Sequence, residues 1–351
     1  MLNVAEVFCP PGAEVLELRA PGGRHWFIPM NSSRVRWSSF GLYPAHRWRG
    51  RAYRTLLRAW LTLGGGGFTH QVVRKSTTDW PLGDLLLPEM PTLSTAAVYM
   101  GNPGPDQKMT VQLMDGDGNV LGYAKYADKV RPRSLIANEA RMLEIIPDDV
   151  GPRLVRFASF LQGELLVQTR LPGQTLMPRS PRLYEAHMQF LQRLVQPGIA
   201  YPISEHPFVK DLYARADARR GMLEEIVSAL GDSEWPVAFM HGDLSPANMH
   251  GWRGRYLAFD WEYGRQVGLA YLEAPHPLIE FASLIRGTDP QGAKRAISNS
   301  LSTHLLPPQY TRLAPKVAAL AALNMLISWY PPRDPDAYES WLTAFAEADG
   351  A

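Results

Sequence analysis

The rhythm of apolar and polar positions changes twice along the chain, near residue 93 and near residue 172. From Thr95, short apolar runs follow one another: "TAAVYM", "KMTVQLM" and "VLGYAKYA" read as strands, joined by "GNPGPDQ" and by the turn-forming "DGDGN". This predicts a three-stranded antiparallel meander. In "SLIANEARMLEII", Leu135, Met142 and Ile146 recur at helical spacing behind Ser134 as N-cap. Two further strand-like runs, "RLVRFASF" and "ELLVQTRL", complete an expected sheet of five strands with one helix. Beyond Pro172 the pattern turns mainly helical, through "PRLYEAHMQFLQRLV" and "FVKDLYARADARRGMLEEIVSAL" to the end of the chain. Ahead of residue 93, "AEVLELRAPGGRHWFIPM" reads as two strands about a Pro-Gly-Gly turn, and "AHRWRGRAYRTLLRAWLTL" as a helix stopped by Gly64 to Gly67.

These patterns predict an α+β protein. Residues 1–93 form a Trp- and Arg-rich extension that ends in the proline-spaced "LLLPEMPTL", residues 94–171 a small antiparallel-sheet unit, and residues 172–351 a larger helical unit. No internal repeat is visible.

Composition narrows the picture. The 351 residues carry a net charge of +2 with 20% charged side chains, which points to neither nucleic-acid binding nor an acidic tail. Cys9 is the single cysteine, so there is no internal disulfide framework, and "MLNVAEVFCPPG" has neither a basic nor an apolar leader region. A reducing cytoplasm fits best. The apolar run "VAALAALNMLIS", Val317 to Ser328, falls short of the roughly 20 residues that a membrane span needs and reads as a buried helix.

The chemistry concentrates in "HGDLSPANMH" (241–250) and "LAFDWEYG" (257–264). Asp243 and Asn248 lie in a loop after the apolar "PVAFM", and Asp260 opens a second loop after "YLAF". If the two short strands pair through "HGWRGR", Asp243, Asn248 and Asp260 converge. Carboxylates and an amide oxygen suit a hard cation, and Mg²⁺ is usually held by one or two carboxylates together with substrate phosphates. Phosphoryl transfer needs a carboxylate to orient the attacking hydroxyl and oxygen ligands to hold the metal. Either loop alone also reads as ordinary turn chemistry. It is their order and spacing together that favour a site.

"HGDLSPAN" followed by "FDWEYG" resembles the catalytic and metal-binding loops of the aminoglycoside phosphotransferase and choline kinase superfamily, relatives of the protein kinases. The resemblance covers about residues 94–345 and implies a protein-kinase-like fold of two lobes, a small antiparallel-sheet N-lobe and a larger helical C-lobe. It implies Asp243 as the catalytic aspartate, His241 as support for its loop, and Asn248 and Asp260 as Mg²⁺ ligands with help from Glu262. Where many members have a second histidine after the Asp-Leu pair, this chain has Ser245.

Such a kinase also needs a strand lysine on the nucleotide phosphates, held by a helix carboxylate. Lys125 is mid-strand in "GYAKYA", and Glu139 shares the stripe of Leu135, Met142 and Ile146, where a carboxylate needs a partner. The other reading makes Lys125 a solvated edge residue and Glu139 a surface acid. "GNPGPDQ" stands where a phosphate-covering loop belongs. Gly101 and Gly104 would allow close backbone approach, although Pro103 and Pro105 remove two N–H donors. "VQTRLPG" fits the segment joining the lobes, with backbone groups of Gln168, Arg170 and Leu171 meeting adenine.

In the extension, Arg47, Arg51, Arg54 and Arg58 recur at helical spacing, with Tyr53, Leu56, Leu57, Trp60 and Leu61 largely away from them. Helix 45–63 could thus touch an anionic membrane surface or a glycan, or simply pack with a solvated arginine face. The function implied is ATP- and Mg²⁺-dependent phosphorylation of a hydroxyl on a small molecule or glycan, a sugar in polysaccharide or lipid-linked glycan assembly being the narrower reading. A catalytically silent pseudokinase scaffold is the alternative, and a metal-dependent phosphohydrolase a third reading that leaves Lys125 and Glu139 unexplained.

Overall fold

The computed structural model describes residues 4–20, 23–42, 48–62, 72–75, 79–101, 103–175, 181–280, 282, 289–328 and 335–346. The chain divides into two compact units, Met1–Ala140 with Pro152–Arg170, and Arg141–Gly151 with Leu171–Ala351.

The first unit is built on one sheet of eight strands in the order β3-β1-β2-β4-β5-β6-β8-β7. Its strands are β1 (Glu14–Ala20), β2 (Arg24–Pro29), β3 (Val72–Lys75), β4 (Thr95–Met100), β5 (Met109–Met114), β6 (Val120–Ala127), β7 (Leu154–Phe160) and β8 (Gly163–Thr169). Every neighbouring pair is antiparallel. The expected meander is β4, β5 and β6. Asp115 makes its second turn by accepting the backbone N–H groups of Asp117 and Asn119 at 3.0 and 2.8 Å.

The sheet has three more strands than the pattern predicted, because β2 of the supposed extension pairs with β4 in the register Trp26↔Tyr99. The break expected near residue 93 therefore separates no compact unit. Residues 1–93 supply the layers that cover the sheet. On one face, α1 (Val4–Phe8) and α4 (Pro81–Leu86) share a core with Val15, Phe27, Val98, Val111, Ala124, Tyr126 and Val167. On the other face, Leu16, Trp26 and Ile28 pack with Phe40 and with Leu61 of α3 (Trp48–Thr62), while Val35 of α2 (Ser33–Ser39) packs on Ala97 and Met114. Burial on both faces explains why Val15 and Leu16 are apolar in succession instead of alternating.

On α3, Leu57, Trp60 and Leu61 face this core as expected, but Leu56 is 70% exposed. Arg58 lies over the ring of Trp37, 5.3 Å from its centroid, and burial followed by the nearby Arg54 lowers its pKa. Residues 45–47 and 63, including Arg47, and the side chains of Arg51 and Tyr53 lie outside the described residues. Helix α5 (Val130–Ile145) gives its first part to this unit and its last turns to the second.

The second unit is mainly helical: α6 (Pro181–Leu194), α7 (Pro207–Arg215), α8 (Arg220–Leu230), α9 (His276–Glu280), α10 (Pro290–Ser300), α11 (Ala314–Ile327) and α12 (Pro335–Ala346). The stretch read as one helix over residues 208–230 is broken between α7 and α8, where Asp217 has a positive φ of 39°. Helix α11 is the apolar run anticipated as buried, with ten of its residues inside the core. Two small sheets complete the unit. One has the order β10 (Val195–Pro202), β11 (Glu234–Met240), β14 (Arg265–Leu269), and the other β13 (Arg255–Ala258), β12 (Met249–Trp252), β9 (Gln174–Thr175). No described helix is long and apolar enough to cross a membrane.

Candidate active site

Each unit assembles its own set of the residues singled out above. In the first, Ala124 and Tyr126 of β6 point into the core, so the alternation of a strand turns Lys125 to the opposite face. There its Nζ donates to Glu139 Oε2 of α5 at 2.5 Å. Lys125 is 5% and Glu139 0% exposed. Glu139 is thus no surface acid, and two charges so far from water require the pairing that places them together.

The β4–β5 loop is tied down at both ends. Gln107 Nε2 donates to the Gly101 carbonyl at 3.1 Å, and Asp106 takes a two-point contact from Arg131 of α5 at 2.5 and 3.1 Å. A Cβ on Gly101 or Gly104 would meet nothing within 4 Å, and neither has a positive φ, so the local geometry accepts side chains there. On β8, Gln168 is buried and registers with Tyr123, Arg170 is exposed and Leu171 is buried. The division between the units falls between Arg170 and Leu171.

In the second unit, β11 delivers the chain to His241. The hairpin β12–β13, with Met249 opposite Ala258, sets Asn248 beside Phe259 and hence beside Asp260. Phe259 is where the two loops are stitched. Its N–H donates to the Asn248 carbonyl at 3.1 Å, and its carbonyl accepts from His241 Nε2 at 2.8 Å. His241 Nδ1 accepts the Asp243 backbone N–H at 3.3 Å, an arrangement that puts the ring proton on Nε2. The His241 ring is fully buried and lies 4.7 Å from that of Trp261, whose Nε1 donates to the Ala258 carbonyl at 3.0 Å. Gly242 adds a third join. Its φ is +84°, and a Cβ there would lie 2.3 Å from the Tyr263 carbonyl oxygen, so only glycine fits.

Asn248 Nδ2 donates to the Asp243 carbonyl at 2.9 Å and to Asp243 Oδ2 at 3.1 Å, which leaves Oδ1 as its acceptor atom for any further ligand. Asp260 adopts the left-handed conformation, φ 70° and ψ 53°, and Glu262 lies buried in the 3₁₀ turn that follows. Aspartate tolerates this backbone better than most side chains, and such outliers concentrate at functional sites. The candidate donors of the two loops, Asp243, Asn248, Asp260 and Glu262, are all oxygens. They fit a hard cation such as Mg²⁺ and would fit a soft metal poorly.

Glu273 was not anticipated from the sequence. Its carboxylate accepts the backbone N–H of His241 at Oε2 and that of Gly242 at Oε1, both at 2.7 Å. Burial pushes this carboxyl up to about 7, against the opposing effect of the two N–H groups and of His276, and with a further push from Asp243. Burial would lower His276, but Glu280, Asp243 and Glu273 together raise its pKa above the usual value. Nothing in "AYLEAPH" marks Glu273, since what it holds is main chain.

The sequence matches no known family profile and no curated protein. Among solved structures it is similar to an amicoumacin kinase in complex with AMP-PNP, Ca²⁺ and Ami, at 13% identity and a TM-score of 0.47 over 75% of this chain and 91% of that one. It is also similar to the aminoglycoside phosphotransferase APH(4)-Ia, at 12% identity and a TM-score of 0.45 over 77% and 99%. A choline/ethanolamine kinase family protein from Mesorhizobium loti gives 14% identity and a TM-score of 0.39 over 72% and 88%. Likenesses of this depth leave the assignment of function to the chain's own residues.

Proposed function

We propose that the protein is an ATP- and Mg²⁺-dependent phosphotransferase acting on a hydroxyl of a small molecule. The observation that supports this reading best is the stitching of two loops at Phe259, which ties the loop carrying Asp243 and Asn248 to the one that Asp260 opens. A turn-forming role for Asp243, Asn248 and Asp260 would not require a buried histidine bonded to both loops. In this reading Asp243 orients the acceptor hydroxyl and receives its proton. Asn248 Oδ1 and Asp260 hold Mg²⁺, with Glu262 assisting, and the bound metal supplies neutralisation of phosphate charge. Lys125, fixed by Glu139, serves the nucleotide phosphates, the Gly101–Gly104 loop covers them, and the backbone of Gln168, Arg170 and Leu171 meets adenine.

A sugar or glycan is the narrower acceptor class, supported by the Trp and Arg content of residues 1–93. Contact of helix 45–63 with a glycan or an anionic membrane surface belongs to the same reading, and is supported by the exposed Leu56 and by Arg58 over the 44%-exposed Trp37.

The test incubates the full chain with Mg²⁺-ATP and a panel of sugars, glycan fragments, choline and aminoglycosides, and follows ADP and phosphorylated product. Asp243→Ala is expected to lower turnover at least 100-fold while nucleotide affinity stays within about threefold. Product formation that survives in Asp243→Ala removes the catalytic assignment. Nucleotide binding with no turnover on any acceptor makes the chain a scaffold, and free phosphate without product makes it a hydrolase. Equal sedimentation with anionic liposomes or glycan by wild type and by an Arg54→Glu, Arg58→Glu protein discards the surface contact.

A further inference from the structure

We propose that α2 and the 3₁₀ turn after it, Phe40–Leu42, form an internal plug that competes with nucleotide for one face of the eight-stranded sheet. The inference rests on the phosphotransferase reading, which sets the base against Gln168 and the phosphates at Lys125 and the β4–β5 loop. A nucleotide stretched between those points has to lie along the face that carries Lys125.

Strand register fixes what that face is made of, because residues directly paired across neighbouring strands share a face. One row runs Trp26, Tyr99, Thr110, Lys125 and Leu166 across β2, β4, β5, β6 and β8. The adjoining row runs Ala97, Gln112, Tyr123 and Gln168. This second row is the ground between the base position at Gln168 and the undersides of β4 and β5.

Helix α2 stands on that ground. Val35 packs on Ala97 and on Met114, which lies two residues beyond Gln112 in β5. Gln112 Nε2 donates to the Ser38 carbonyl at 2.9 Å, and a Cβ on Gly41 would lie 2.7 Å from Gln112 Oε1. Ala97 and Gln112 are 2% and 0% exposed. The protein's own chain thus covers two of the four residues in the row, and neither can meet a ligand until α2 lifts.

The closed state leaves polar groups unsatisfied. Gln112 Oε1 and Gln168 Oε1, on either side of Tyr123, are buried with no hydrogen-bond partner among the described residues. Buried acceptors without donors weigh against the closed arrangement, and a base presents N–H donors along its edge. The ion pair from α2 to the β5–β6 turn, Arg34 to Asp117 at 3.4 Å, is exposed on both sides and adds little to the hold. A protein that must open before it binds has its affinity reduced by the fraction that is open. Loosening α2 therefore tightens nucleotide binding, whereas loosening a helix that merely walls the site would weaken it.

The experiment uses the full chain with Mg²⁺ and a non-hydrolysable ATP analogue. In wild type, amide hydrogen exchange in the segment covering residues 33–42 is expected to speed up about fivefold or more when the analogue binds. Val35→Ala should raise affinity about threefold or more. Gly41→Cys with Gln112→Cys faces two thiols across the contact, while the native Cys9 is buried on the opposite face of the sheet. Oxidised to a disulfide that mass spectrometry verifies, this protein should bind the analogue at least about tenfold more weakly than the same protein reduced. The wild-type exchange measurement decides the matter even if the variants fold poorly. Analogue that binds with unchanged or slower exchange in residues 33–42, or with affinity within twofold in the oxidised and reduced forms, overturns the plug and leaves the phosphotransferase reading intact. Binding by Val35→Ala but not by wild type supports the plug. If wild type, Val35→Ala and the reduced double variant all bind no analogue, the nucleotide reading fails and the plug fails with it.

Discussion

Lys125 and Glu139 lie 2.5 Å apart with almost no solvent on either, so each charge is balanced by the other. Removing one member of such a pair strands the other and typically costs 3–5 kcal/mol, whereas replacing both by apolar side chains of similar volume is often neutral. Lys125→Ala should accordingly lower stability in urea titrations by about 3–5 kcal/mol. The double variant Lys125→Met with Glu139→Leu should return to within about 1 kcal/mol of wild type. Both should lose nucleotide affinity, so the double variant separates stability from function. Full affinity in the double variant would show the pair to be structural only. Both residues were legible in the sequence because each breaks a local pattern, a lysine between buried strand neighbours and a carboxylate on an apolar helix stripe. Asp243, Asn248 and Asp260 were legible through their spacing. Glu273 was not, because its partners are two main-chain N–H groups brought to it by Gly242, and one N–H looks like another in a sequence.

Helix α6 shows how an element can carry a titratable group through its packing alone. His187 on this helix is fully buried, sits edge-on to Tyr256 with centroids 5.9 Å apart, and has no hydrogen-bond partner at either ring nitrogen among the described residues. Burial pushes its pKa down to about 3. The unfolded chain, with an ordinary imidazole near 6.5, binds a proton that the folded one refuses. Stability from this site is complete above about 6.5 and is lost as pH falls toward 3. Glu273 acts with the opposite sign between its ordinary carboxylate value and about 7, so the comparison must be made between variants at each pH. His187→Leu should gain about 1 kcal/mol at pH 7 by removing an unpartnered N–H. That advantage should grow by about 2–3 kcal/mol on going to pH 4.5. Denaturant titrations at the two pH values measure it, and a constant difference would mean that His187 titrates normally in the fold. At this scale the helices were readable from their stripes. Strands β10 and β14 were not: most residues of β10 are exposed and include Pro197 and Gly198, and both strands exist only because β11 offers them its two edges.

At the scale of the whole chain, residues 1–93 differ from the rest in composition yet are inseparable from the first unit in structure. Composition reports what a segment contains, whereas membership of a sheet depends on pairing, and the β2–β4 pairing spans α2, α3, β3 and α4, which lie between the two strands in sequence. The consequence for function runs through the core. Phe8 is fully buried against Tyr126 and Phe160, with centroids 5.8 and 6.1 Å away. Next to it, the S–H of the buried Cys9 donates to the Ala96 carbonyl at 3.7 Å. Tyr126 follows Lys125 in β6 and points to the opposite face, so Phe8 supports the lysine's strand from behind without touching its site. Phe8→Ala should therefore cost about 3–5 kcal/mol through the cavity it leaves, while nucleotide affinity measured well below the melting transition stays within about twofold. A chain beginning at Ser94 would expose the β4–β2 edge and the core face now covered by α1 and α4, and should fail to fold cooperatively when followed by circular dichroism and calorimetry. If that shortened chain instead folds and binds nucleotide as tightly as the full one, residues 1–93 are a separable module after all, and the eight-stranded sheet is not what holds Lys125 in place.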